Sequence, residues 1–250
     1  MSDVTQDLLA FRQVGDLPLA RKRMLARLGG LGLSQRVLNA MEAVPRHAFV
    51  PAPYWRLAYA EIGLWLPSGA ALPAPELAAR ILSALEPTTT DRLLEIGTGC
   101  GYLTTLLGSL CASVTTLDRI DYTHGALQAA GLNSVHQSAG ADAPSWWSQS
   151  HFDAIVINEA TSLPPIHLLA YASRLVAVVG LPAGPQRLIL VTLDESSQAP
   201  RVSDLGPLVS PTPAMALAVS GGVLSTATLE SSIPGAIALE GAQELEGTSK

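Results

Sequence analysis

A chain of 250 residues is long enough to bury one substantial core with additions. It is 48% hydrophobic and 14% charged, yet no apolar run approaches the roughly 18 residues of a membrane-spanning helix. The acidic start, Met1 to Asp7, carries no long apolar stretch, so no secretory signal is expected and the cytoplasm is the expected compartment. A net charge of −6 argues against a nucleic-acid partner. The two cysteines, Cys100 and Cys111, lack Cys-x-x-Cys spacing and a histidine cluster; they read as reduced packing residues, and no metal site is expected.

From Asp3 to about Ala43 the spacing predicts helices: Leu8, Leu9 and Phe11, then Met24, Leu25 and Leu28, recur with a near-helical period until Gly29-Gly30 breaks it. Arg21-Lys22-Arg23 with Arg27 reads as a solvated helix face. Pro45 to Pro75 is proline-rich and aromatic, with Phe49, Tyr54, Trp55, Tyr59 and Trp65 irregularly spaced, which predicts an ordered loop over one end of a sheet. Helices and strands then alternate. The expected order is helix Glu76 to Leu85, strand Arg92 to Ile96, helix Tyr102 to Leu110, strand Ser113 to Asp118, helix Tyr122 to Ala130, a short strand near Val135, strand Phe152 to Asn158, helix Pro165 to Ser173, and strands Leu175 to Val179 and Arg187 to Asp194. Such alternation implies an α/β fold with a mostly parallel sheet and helices on both faces. Three regions result: residues 1–75 as a helical cap with a loop, 76–220 as the core, and a Ser/Gly/Ala/Glu-rich tail, 221–250, expected to be partly disordered or loosely attached.

Leu93-Leu94-Glu95-Ile96-Gly97-Thr98-Gly99-Cys100-Gly101-Tyr102 carries the strongest functional signal. An apolar strand ends in three glycines at alternate positions, where missing Cβ atoms permit a tight turn and close approach of a ligand. A dinucleotide fingerprint needs Gly or Ala at the sixth position, where this chain has the bulky Tyr102, so Gly-x-Gly-x-Gly fits S-adenosylmethionine better than a nicotinamide dinucleotide. Asp118 ends the next strand, nineteen positions after Gly99, where a carboxylate can accept hydrogen bonds from ribose hydroxyls. Sheets of this kind bind ligands beyond the carboxyl ends of their strands, where Gly97, Asp118 and Asn158 would lie.

Two further stretches carry a resemblance: Arg21-Lys22-Arg23-Met24-Leu25-Ala26-Arg27-Leu28, and Arg36 to Pro51 with its Val44-Pro45-Arg46-His47-Ala48-Phe49-Val50 element. With Leu57-Ala58-Tyr59, the glycine turn, Asp118-Arg119-Ile120, Phe152-Asp153-Ala154-Ile155 and Leu181-Pro182-Ala183-Gly184, they resemble in order the landmarks of protein-L-isoaspartate O-methyltransferases over about residues 20 to 195. The resemblance implies a Rossmann-like, seven-stranded-type methyltransferase core, S-adenosylmethionine as donor and S-adenosylhomocysteine as product, and a protein or peptide carboxylate as acceptor. It also implies a repair role, in which methylated isoaspartate cyclises to succinimide and partly reopens as aspartate. The expected cofactor residues are Glu95, Ile96, Gly97, Thr98, Gly99, Gly101, Asp118, Arg119 and Asp142.

The chain departs from that pattern in three places. Where the family carries Gly-x-Thr-Ile-Ser-x-Pro in the substrate loop, this chain reads Gly69-Ala70-Ala71-Leu72-Pro73-Ala74-Pro75; a hydroxyl and a backbone donor are lost at Pro73. The family's Gly-Asp-Gly aligns with Gly140-Ala141-Asp142, so Asp142 can meet the adenine end only if its loop shifts. The usual Gly-Gly before the fifth strand is absent at Arg174-Leu175. A second reading therefore stands beside the enzyme: a cofactor-binding homologue of impaired turnover that holds a peptide or acts in regulation, or a methyltransferase with a changed acceptor.

Other residues carry paired readings. His47 touches a substrate or is a solvated loop residue, and Arg46 pairs with an acceptor carboxylate or with Glu42. Trp146-Trp147 walls the adenine pocket or packs structurally, and Asn158-Glu159 lines the methyl-transfer site. The catalytic residues and the oligomeric state are not legible in the sequence.

Overall fold

The computed structural model describes residues 16–118, 135–139, 151–181, 184–194, 196–197 and 199–208. The expected helix Tyr122 to Ala130, Leu8, Leu9, Phe11, Arg119, Ala141, Asp142, Trp146-Trp147 and the 221–250 tail lie outside the described residues. Two helices open the described chain. In α1 (Leu17–Gly29) the Asp16 side chain caps the N-terminus by accepting from Leu19 N at 3.0 Å, and Ser34 caps α2 (Gln35–Ala43) by accepting from Val37 N at 3.3 Å. Met24 and Leu28 of α1 and Val37 and Met41 of α2 are buried, which accounts for the apolar period read in this region.

The Pro45 to Pro75 region is ordered: two 3-10 turns, Arg46–Phe49 and Ala52–Tyr54, lead to a short hairpin of β1 (Leu64–Trp65) and β2 (Ala71–Leu72). Then follow α3 (Pro75–Leu85), β3 (Arg92–Ile96), α4 (Tyr102–Gly108), β4 (Ser113–Asp118), β5 (Val135–Ala139), β6 (Phe152–Thr161), β7 (Ala172–Gly180), β8 (Gln186–Leu193) and β9 (Pro200–Pro207). The main sheet has seven strands in the order β5-β4-β3-β6-β7-β8-β9. Strands β5 to β7 are parallel, and β8 and β9 run antiparallel at one end. Strand order reverses between β3 and β6, which makes their carboxyl ends the switch point.

Alternate side chains of the central strands enter two cores. Leu93, Val114, Ala154 and Val176 pack with α1 to α4, whereas Leu94, Ile155 and Leu175 pack with Leu168 and Leu169 on the other face. Among the described residues all four α-helices therefore cover one face; the expected helix Tyr122 to Ala130 lies outside those residues.

Several elements depart from the sequence reading: β6 runs past Asn158 to Thr161, and α4 ends at Gly108 rather than Leu110. The expected helix Pro165 to Ser173 is a 3-10 turn, Ile166–Ala170, and β7 begins at Ala172. One turn suffices to bury Leu168 and Leu169, and pairing of Phe152 with Ala172 and Ala154 with Arg174 draws the following residues into the sheet. Strand β9 has no apolar alternation because it is an edge strand, where prolines at both ends cost no ladder bond. The missing Gly-Gly is filled by Arg174, which donates to Leu85 O at 2.9 Å and pairs with Asp91 at 2.5 Å.

Leu82 is completely buried in α3, at the centre of the helical layer. Leu82→Ala is expected to destabilise the fold by about 2–5 kcal/mol through lost transfer energy and a residual cavity. Urea unfolding measures this, with the midpoint falling while the slope stays constant.

Candidate active site

The glycine turn lies at the switch point, between the carboxyl end of β3 and the start of α4. Gly97, Gly99 and Gly101 all adopt positive φ, +92°, +54° and +82°, which explains their spacing. The turn is tied on every side. Gly97 N donates to Leu117 O at 2.8 Å, Gly101 N to Thr98 O at 3.0 Å, and Cys100 N to Ala71 O at 3.1 Å. Gly99 N donates to Asp118 Oδ2 at 2.9 Å, so the carboxylate expected to face the ribose is joined to the turn itself.

The glycines have a second cause that the sequence does not announce. A Cβ on Gly99 would lie 2.7 Å from Ala71 O, and one on Gly97 would lie 2.9 Å from Glu159 Cγ. At these two positions the protein's own atoms occupy the space that was expected to admit a ligand. The substrate loop and the end of β6 thus sit directly on the turn.

Beneath the turn is a buried polar chain. Register places Glu95 of β3 opposite Thr116 of β4, on the same face as the core residues Leu93 and Val114. Glu95 is completely buried; its Oε2 accepts from Thr104 Oγ1 at 2.5 Å and from Thr116 Oγ1 at 2.8 Å, while Oε1 has no partner. Thr116 Oγ1 in turn meets Thr98 Oγ1 of the turn at 2.6 Å. Burial pushes the Glu95 carboxyl up to about 8; the two threonine hydroxyls oppose this and the nearby Asp118 adds to it. At neutral pH Glu95 is a neutral acid that braces the turn through Thr116.

Arg46 resolves differently from both readings of the sequence. It is completely buried and does not meet Glu42, which is exposed. Its Nε donates to Ala58 O at 2.6 Å, its Nη2 donates to Pro73 O at 2.8 Å, and its guanidinium carbon sits 4.8 Å from the centroid of the Tyr102 ring. One cation therefore joins the 58 and 73 segments to the first residue of α4. Tyr102, the bulky sixth position, is turned into the core with Phe49 edge-on at 5.4 Å.

His47 is half-buried: its Nδ1 lies 2.7 Å from Tyr59 Oη and its ring meets Trp55 edge-on. Burial, and then the charge of Arg21, holds its pKa below the ordinary value, so it is a packed neutral residue. Both cysteines are free, and burial pushes Cys100 up to about 11 and Cys111 up to about 12, consistent with packing thiols. Asn158 Nδ2 donates to Gly97 O at 3.3 Å; Asn158 and Glu159 sit at the irregularity between Ile157 and Ala160 within β6, which runs on to Thr161 and does not end at Asn158 as expected.

The structure thus assembles Glu95, Ile96, Gly97, Thr98, Gly99, Gly101, Asp118, Asn158 and the loop residue Ala71 around the carboxyl ends of the central strands, whereas Gly69 closes the β1–β2 turn by donating to Leu66 O, Leu72 pairs with Leu64, and Pro73 O is held by Arg46. Sequence reasoning missed the roles of Thr104, Thr116 and Arg46. Glu95 and Thr116 did leave a signal, two polar residues at core positions of adjacent strands. A cavity of about 610 Å³, walled by Leu31, Leu33, Val37, Leu82 and Leu110, lies near the opposite ends of the strands and takes no part in this site.

Between the ordinary value of 4.5 and about 8, the folded protein holds a proton on Glu95 that the unfolded chain releases. Stability therefore falls as pH rises through that window and becomes independent of this group above it, by about tenfold in the folding constant per pH unit. Glu95→Gln removes that slope. Thermal melts at pH 5 to 9 should show the variant gaining on the parent protein as pH rises; parallel curves would refute the assignment.

Comparison with known proteins follows the same lines. The family described as Protein-L-isoaspartate(D-aspartate) O-methyltransferase (PCMT) matches residues 20–202. The protein-L-isoaspartate O-methyltransferase of Koribacter versatilis is 37% identical over 177 residues, covering 66% of this chain and 78% of the relative. Protein-L-isoaspartate O-methyltransferase 2 of Geotalea uraniireducens is 31% identical over 200 residues, covering 76% of this chain and 92% of the relative. Among solved structures, a Plasmodium falciparum protein-L-isoaspartate O-methyltransferase in complex with S-adenosyl-L-homocysteine superposes with a TM-score of 0.60 at 18% identity, covering 75% of this chain and 95% of that one. A second protein-L-isoaspartate O-methyltransferase structure also gives a TM-score of 0.60, at 17% identity, covering 82% of this chain and 67% of that one. On the matched span, the shared fold and the glycine turn with its attached Asp118, the chain belongs to the protein-L-isoaspartate O-methyltransferase family.

Proposed function

We propose that this protein transfers a methyl group from S-adenosylmethionine to the α-carboxylate of an isoaspartyl residue in a protein or peptide. The observation that carries this reading is the shared seam: Ala71 O of the substrate loop accepts from Cys100 N of the glycine turn, and the amide just before it, Gly99 N, donates to Asp118. The donor half-site and the acceptor loop are thereby built against one another. The residues fit the donor. A turn at the switch point, an acid at the end of the neighbouring strand and the β6 end bearing Asn158 and Glu159 supply the ribose side and the methionine side of an adenosyl site. When bound, S-adenosylmethionine supplies a sulfonium methyl that an acceptor carboxylate takes by in-line displacement.

This reaction asks for alignment more than for proton transfer, because a carboxylate is already ionised and nucleophilic at neutral pH. Asp118 and the turn fix the donor side, Ala71 fixes the loop against it, and Arg46 holds the loop at Pro73 O. No histidine or cysteine is required, in keeping with a packed His47 and protonated thiols.

Calorimetry and a methyl-transfer assay test the reading together. The protein should bind S-adenosylmethionine or S-adenosylhomocysteine, with Asp118→Ala weakening binding at least about tenfold through loss of charge-assisted bonds of about 1.5–3 kcal/mol. It should also methylate an isoaspartyl peptide. No heat with either ligand would sink the cofactor assignment, whereas binding without any methylation would leave a changed acceptor.

The missing loop hydroxyl predicts slow turnover. Installing Thr at Ala71 and Ser at Pro73 restores a donor to the acceptor carboxylate, and is expected to raise the methylation rate at least about tenfold with unchanged S-adenosylmethionine affinity. The backbone carbonyls at 71 and 73, which carry the loop's bonds, remain in place in that variant. High activity in the unaltered protein would show that the hydroxyl is dispensable.

A further inference from the structure

On the face of α1 that continues into the 56–61 segment is a surface cleft of about 460 Å³, lined by Arg23, Arg27, Arg56, Tyr59, Ala60 and Glu61. Its charges do not cancel. Arg27 spends its guanidinium on Glu61, with Nη2 to Oε1 at 2.6 Å and Nε to Oε1 at 2.8 Å, and on Tyr59 O at 3.1 Å. Arg23 and Arg56 are exposed and form no ion pair among the described residues. Two guanidinium groups thus face one concavity on a chain whose net charge is −6.

The cleft adjoins the acceptor loop. The single guanidinium of Arg46 binds Ala58 O through Nε and Pro73 O through Nη2, so the residue next to Tyr59 and the substrate loop meet side by side on one edge of one planar group. A peptide in extended form advances about 3.3 Å per residue, so a few residues span from the loop to the cleft. We propose that the Arg23–Arg56 cleft is a docking subsite for an acidic side chain of the peptide substrate, a few residues from the residue being methylated. The assignment rests on the proposed transfer to peptides and adds a preference to it: acidic sequences flanking the damaged residue. A guanidinium suits this task because its planar fork accepts a carboxylate in two parallel bonds. Charges at a rim act chiefly on encounter and on ground-state affinity, and are weakened by salt.

The test uses the full chain and three labelled isoaspartyl peptides that differ only in their flanking residues: acidic, neutral and basic. At low salt the KM for the acidic peptide should be about five- to tenfold below that for the neutral one, with similar kcat, and the gap should close at 0.5 M salt. The Arg23→Gln, Arg56→Gln double variant should raise KM for the acidic peptide to the neutral value, leaving neutral-peptide kinetics and S-adenosylmethionine affinity unchanged. Arg56→Glu should shift the preference toward the basic peptide. Equal KM values across the three peptides, or a preference that survives the double variant, would overturn the subsite. If none of the peptides is methylated, the isoaspartyl-acceptor reading fails, and fluorescence anisotropy of the same labelled peptides still judges the cleft by the same comparisons. A single-stranded oligonucleotide that binds the cleft more tightly than the acidic peptide would overturn the peptide assignment.

Discussion

Everything in this site depends on one backbone contact, the Ala71 carbonyl seated on the glycine turn at Cys100 N with no space for a Cβ at Gly99. The turn has positive φ at three residues, a conformation that only glycine adopts without strain, so its shape is costly to alter. The substrate loop inherits that rigidity by contact. Loop and turn behave as one body, and the relative placement of donor and acceptor, on which an in-line displacement depends, is set by covalent geometry more than by flexible side chains.

Two buried ionisable groups support that body. Arg46 is held by two carbonyls and an aromatic face, which offset the cost of removing a cation from water. Glu95 meets the same problem by giving up its charge: with one oxygen bonded to two threonines and the other unpartnered, the protonated form is favoured. The difference follows from chemistry, since a guanidinium cannot shed its proton in a protein and a carboxylate can.

Much of this was legible in the sequence. The strand, glycine turn and helix around Gly97, the acidic strand end at Asp118 and the parallel order of the central sheet all follow from periodicity and turn chemistry, because each is a local pattern read over few residues. The parts that were not legible are made by partners far apart in the chain. Arg46 could be named as a candidate, but its bonds to Ala58 and Pro73 are to carbonyls, which every residue carries and no sequence advertises. Strand β9 escaped because pairing with β8 forms it against the preference of its prolines and glycine, and the turn at Ile166–Ala170 escaped because two adjacent buried leucines do not reveal how many turns surround them.

The loop's reliance on carbonyls also bears on how such a site diverges. At positions 71 and 73, where the family pattern has threonine and serine, the bonds that hold the loop are accepted by main-chain oxygens, and proline keeps its oxygen while losing only its N–H. The side chains at both positions therefore carry none of the hydrogen bonds that hold the loop, although Pro73 is itself buried. Drift can erase or exchange the groups that meet the acceptor while the scaffold that presents them stays whole, so the selectivity of this enzyme is free to wander on a frame that does not register the change.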